Sequence, residues 1–134
     1  MNIYDLYEYQ HDIIYALVPL DIELQLFEDS ENVFDTIKSH KAAFEEAKKC
    51  ADQFITILQN LPNSGIIKET KEVIAKFFDT YYLGLEIAGK NPFELLKKSQ
   101  KESFFCDMRK LTMCLEGAII EIEEKFGKSP NFNI

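Results

Sequence analysis

The stretch VFDTIKSHKAAFEEAKKCADQFITILQNL, residues 33–61, decides the fold. Val33, Ile37, His40, Phe44, Ala47, Ala51, Phe54, Leu58 and Leu61 follow one another at alternating steps of four and three residues. That is the repeat of a helix with one apolar seam. Ala43, Cys50 and Ile57 form a second line at intervals of seven, which widens the face beyond a two-stranded zipper and calls for more than one neighbouring helix. Ser30 is a natural N-cap, with acids in the turn after it, so the spacing predicts a helix over 30–61. Pro62 and Gly65 end it.

Working outward, the apolar positions Ile67, Ile74, Phe77, Tyr81, Leu85 and Ala88 predict a helix over 66–88. Gly89 suits its end, and Asn91-Pro92 opens the next helix, over 92–126. The middle of that last helix is apolar over a wide arc, which suits a central helix or one shared with a second subunit. Phe104, Met108, Leu111, Leu115 and Ile119 are its candidate dimer seam. Gly117 and Gly84 are the expected points of a helix break or close approach.

Upstream, residues 3–17 read as a helix that Pro19 should stop. Leu20, Ile22, Leu24 and Leu26 then alternate with Asp21, Glu23 and Gln25, a strand-like period with no partner strand elsewhere. The segment 19–28 is therefore expected to be an extended or short helical connector. Short connections make consecutive helices antiparallel, and the expectation is an all-α, elongated four-helix bundle. With 134 residues, the chain makes a single domain, 1–134, with 128–134 a frayed tail.

Charge is unevenly distributed. Residues 1–37 hold nine acids and no base, whereas the rest of the chain holds fifteen basic and fourteen acidic residues. The whole net charge of −8 thus belongs to the N-terminal quarter. Polyanions would be repelled, so neither direct nucleic-acid binding nor association with an anionic membrane is expected. No apolar run approaches the length of a membrane span. Three scattered cysteines and no secretory leader point to a reducing, cytoplasmic setting. Fourteen lysines against the single Arg109, with no Trp, suggest AT-rich coding, as in a low-GC bacterium, a phage or another mobile element. For a mobile element the cytoplasm would be the host's.

Catalytic patterns are weak. Glu8 and His11 have the Glu-x-x-His spacing of bundle metal sites, but His40 lacks the carboxylate that a second copy needs. Glu69 and Glu72 supply half of a magnesium-binding pattern, but Lys76 stands three residues before Asp79 where an acid is needed. Cys50, Cys106 and Cys114 lack zinc spacing and read as small buried hydrophobes. His40 reads as a core-edge histidine bonded to a neighbour. No cofactor, metal or enzymatic activity is expected.

What stands out is the tyrosine content of the acidic quarter. Tyr4, Asp5, Tyr7, Glu8, Asp12, Tyr15, Asp21 and Glu23 combine large contact area with charge that steers a basic partner. The expectation is a non-catalytic binding module that docks a basic protein surface, of inhibitor, immunity, anti-defence or chaperone type. Two alternatives are a self-associating structural or regulatory bundle, dimeric through the last helix, and a small metal-dependent hydrolase using Glu69, Glu72 and Asp79.

Overall fold

The computed structural model describes residues 3–26, 33–63, 65–87 and 100–126, and they are helical apart from short turns. Five helices are present among them: α1 (Ile3–Leu26), α2 (Val33–Ser39), α3 (Lys41–Gln59), α4 (Gly65–Ile87) and α5 (Lys101–Phe126). α1 packs chiefly on α3 and also on α5, α4 packs chiefly on α5, and α3 meets α4. The short α2 lies against α4, α1 and α3. The all-α fold class holds. The expected Ser30 cap, the start at Pro92 and the tail 128–134 lie outside the described residues.

Two expectations about the elements are corrected. α1 does not stop before Pro19 but runs on to Leu26, so residues 19–26 of the expected connector are helix. Leu6, Ile13, Leu17, Leu20 and Leu24 are all buried, and their steps of seven, four, three and four continue one core face through the proline. Pro19 itself is exposed. The carbonyl four residues back, on Tyr15, loses its helical donor on a face open to water, which is where a helix tolerates such a loss.

The second correction concerns the long seam helix. It is divided at His40, whose φ of −115° and ψ of 36° leave the helical region, while neither Gly84 nor Gly117 interrupts its own helix. The His40 amide still donates to the carbonyls of both Thr36 and Ile37, at 3.1 Å each, so little backbone bonding is lost. What the break accomplishes is reorientation: Val33, Phe34, Thr36 and Ile37 of α2 are all buried. Apart from His40, which is half-buried, every seam residue from Val33 to Leu61 is buried, as the 3–4 spacing requires.

The core has an aromatic centre. Tyr81 lies 5.0 Å from Phe77, 5.2 Å from Phe104 and 5.9 Å from Phe34 between ring centroids, and Phe44 lies 5.3 Å from Phe78. Tilted and edge-on aromatic pairs of this kind add about 0.5–1.5 kcal/mol each beyond area burial. Toward the other end of the pair, at the start of α4, α4 and α5 approach closely. A Cβ on Gly117 would lie 3.1 Å from the Ile66 side chain, so the glycine is the close-approach point that the sequence suggested.

The outer face of helix α1 as candidate interaction site

An α-helix turns about 100° per residue, so Tyr4, Tyr15, Ile22 and Leu26 fall within an arc of roughly 40°. That arc is diametrically opposite the core face. The four side chains are 61%, 71%, 49% and 72% exposed. Of the seven exposed large hydrophobics among the described residues, five belong to α1, Tyr7 being the fifth. A surface helix ordinarily has one apolar stripe. α1 has two, on opposite sides.

Other side chains complete this face. Glu8 and His11 are exposed within the arc, and the His11 ring stacks on Tyr15 with centroids 5.7 Å apart and planes 14° from parallel. His11 Nδ1 lies 3.4 Å from Asp12 Oδ1. Asp5 and Asp12, half-buried, border the stripe on one flank together with Glu8. Tyr7 projects from the other flank.

The structure thus brings together six of the residues singled out from sequence: Tyr4, Asp5, Tyr7, Glu8, Asp12 and Tyr15. It separates the remaining two. Glu23 is half-buried and engaged by His40, its carboxylate bonded to the imidazole Nε2 across the α1 to α2–α3 junction. Asp21 points away from the stripe and accepts a 3.1 Å hydrogen bond from Gln25. His40 is therefore the neighbour-bonded, core-edge histidine expected. Ile22 and Leu26 were not singled out, although their steps of seven and four from Tyr15 carried the signal.

The residues of the candidate dimer seam face inward. Phe104, Leu111, Leu115 and Ile119 are buried inside the chain's own core, and Met108 packs half-buried against it. α5 is apolar over a wide arc because it contacts both α1 and α4. A seam facing a second subunit would require opening that core.

Among the described residues no group of three His, Cys, Asp or Glu side chains is placed to hold a metal ion. Glu69, Glu72 and Asp79 are exposed on α4, with about 15 Å of helix between the first and the last. Of the cysteines, Cys50 and Cys114 are buried as expected, but Cys106 is exposed on α5. Burial pushes the Cys50 thiol up, and Glu46 and Asp12 add to the shift. Burial likewise raises Cys114, with Glu69 contributing. Such thiols are poor nucleophiles.

No helix among the described residues is long and apolar enough to cross a membrane. Comparison with protein-family models, with curated proteins and with solved structures yields no match.

Proposed function

We propose that the protein is a non-catalytic binding module that docks a basic surface of a partner protein through the outer face of α1. The observation that carries this reading is the second apolar stripe of α1, Tyr4, Tyr15, Ile22 and Leu26, exposed beside Asp5, Glu8 and Asp12 in a segment without a single basic residue. Elsewhere on the surface, acids are offset by lysines of their own helix, as in the Lys48–Asp52 and Lys125–Glu121 pairs at 3.1 and 3.5 Å. α1 itself contains no lysine or arginine. Its charge favours a cationic partner, and its aromatic and aliphatic side chains supply the contact area that makes such an encounter stick.

Inhibitors, immunity and anti-defence proteins and secretion chaperones all work in this way, in the cytoplasm of a bacterium or of a host cell. The four long helices α1, α3, α4 and α5 serve as an antiparallel four-helix bundle, with α2 as a short cross-piece, whose role is to hold α1 rigid. Nucleic acid and membrane are not direct partners in this reading, since the field of the acidic quarter opposes both.

The test is affinity capture from source-cell lysate at about 50 mM and about 500 mM salt, because screening weakens a steered acidic interface. Wild-type protein is compared with a variant carrying Asp5→Lys, Glu8→Lys and Asp12→Lys. A basic protein retained by the wild type at low salt, and lost both at high salt and with the variant, is the expected result. Equal capture by both baits would refute it.

A second reading, self-association, draws on Met113 and Ile120, which are 63% and 54% exposed on the outward side of α5, seven residues apart. Light scattering tests it: a salt-independent dimer that dissociates on Met113→Asp would favour that face over α1.

A further inference from the structure

The outward side of α5 is arranged about its own midpoint, an observation that rests on the second reading, self-association through that side, and carries it further. Cys106, Met113 and Ile120 are exposed and seven residues apart, so they fall within about 40° of one another and form a stripe about 21 Å long. Met113 is its centre. Beyond each end stands an exposed acid, Glu102 four residues before Cys106 and Glu124 four residues after Ile120. Beside the stripe, toward α4, lies an open hollow whose apolar lining is Ile66, Cys106, Met113 and Cys114.

Charge decides how such a stripe pairs with a second copy. Arg109 and Glu116 are exposed on the same flank of the Met113 line, about 20° apart, four residues before it and three after. Neither has an opposite charge three or four positions away on α5, and neither belongs to an ion pair among the described residues. When two antiparallel copies are related by a two-fold axis at Met113, like flanks meet. Arg109 then comes level with Glu116 of the second copy to within about 2 Å along the helix, and the pair occurs twice. Met113 meets Met113, and Ile120 of each copy lies over Cys106 of the other, at one end of the hollow. Parallel pairing brings unlike flanks together and sets Arg109 beside Lys110 of the second copy, cation against cation. Glu102 would face Glu124 of the other copy at either end, which confines the antiparallel contact to residues 106–120.

We infer that a second copy of this chain covers the outer side of α5, antiparallel about a two-fold axis at Met113, with reciprocal Arg109–Glu116 ion pairs. About 21 Å of one helix makes a small interface, so the pair belongs to the weak, transient class. No residue of α1 takes part.

Sedimentation velocity of the full chain between about 10 µM and 1 mM reads the association. A monomer–dimer equilibrium is expected, and Met113→Asp should abolish it with circular dichroism unchanged. Arg109→Glu should weaken the dimer at least about tenfold, since each of the two pairs becomes a repulsion, and adding Glu116→Arg should restore it. No restoration would overturn the ion pair. Orientation is read at dimer-forming concentration with a bis-maleimide reaching about 8 Å, the spacing of packed helices. Ile120→Cys together with the native Cys106 should give cross-linked dimer. Wild type, whose two Cys106 thiols stand about 21 Å apart along the pair, should not, and neither should Ile120→Cys combined with Cys106→Ser. Cross-linking of the wild type that Cys106→Ser removes would overturn the antiparallel pair and leave self-association standing. A monomer at every concentration would overturn both and leave the stripe to a different protein.

Discussion

Tyr81 of α4 donates its phenolic proton to Asp107 Oδ2 of α5 at 2.7 Å, from a ring that is wholly buried among Phe34, Phe77 and Phe104. Burial chiefly, and then the hydrogen bond and charge of Asp107, raise the Tyr81 hydroxyl far above the ordinary tyrosine value. One bond thus ties the aromatic centre of the core to the polar edge of the α4–α5 pair.

The sign of that shift gives a pH dependence. A group whose pKa is raised by folding stabilises the fold fully below its unfolded value, near 10 for tyrosine, and that contribution is lost as pH climbs toward the folded value. Above about pH 10, the wild type should lose up to about 1.4 kcal/mol per pH unit through Tyr81. The Tyr81→Phe protein should be less stable by about 1.5–3 kcal/mol at neutral pH, where it lacks a hydrogen bond to a carboxylate, but with a flatter alkaline limb. Urea unfolding between pH 8 and 11 measures both, and parallel limbs for the two proteins would contradict the assignment.

Leu115 and Met113 should respond oppositely to the same change. Leu115 is fully buried, so Leu115→Asp places an unpaired carboxylate in the core and should abolish cooperative unfolding or lower stability by more than about 4 kcal/mol. Met113→Asp, on the solvent side of the same helix, should alter stability by no more than about 0.5 kcal/mol. Thermal melts followed by circular dichroism distinguish the two. A folded Leu115→Asp monomer would return that residue to an intersubunit seam.

Thiol accessibility reports on the orientation of α3 and α5. Cys106 is exposed, while Cys50 and Cys114 are buried with raised thiol pKa values. A disulfide reagent at pH 8 should label Cys106 quickly and the other two only at the rate at which the fold opens. Cys106→Ser should remove the fast phase entirely.

Much of the fold was legible because helix packing writes its period locally. The 3–4 spacing from Val33 to Leu61 survives the break at His40, since both sides of the break still face the same core. The break itself was not legible: it is held by Glu23, seventeen residues away, and by the burial of α2 against α4.

The strand-like alternation over 20–26, which left the segment open between extended and helical, has a physical cause that also locates the candidate site. A helix with apolar residues on two opposite faces produces them at every second position. Leu20 and Leu24 face the core while Ile22 and Leu26 face solvent, so the run imitates a strand. The apparent alternation was the first trace of the second stripe. For α5 the wide apolar arc had two readings, central helix or shared seam, and only the contacts with α1 and α4 decide between them.

The central claim is that the outward apolar face of α1 serves a partner and not the fold. The measurement that tests it most directly is quantitative capture of the basic partner at low salt by wild-type protein and by a variant with Tyr4, Tyr15, Ile22 and Leu26 all changed to Ser, with the melting temperature of both recorded on the same samples. Loss of at least about nine-tenths of the captured partner at a melting temperature within about 3 °C of wild type is the predicted result. Undiminished capture, or a variant that loses its fold along with its partner, would contradict it.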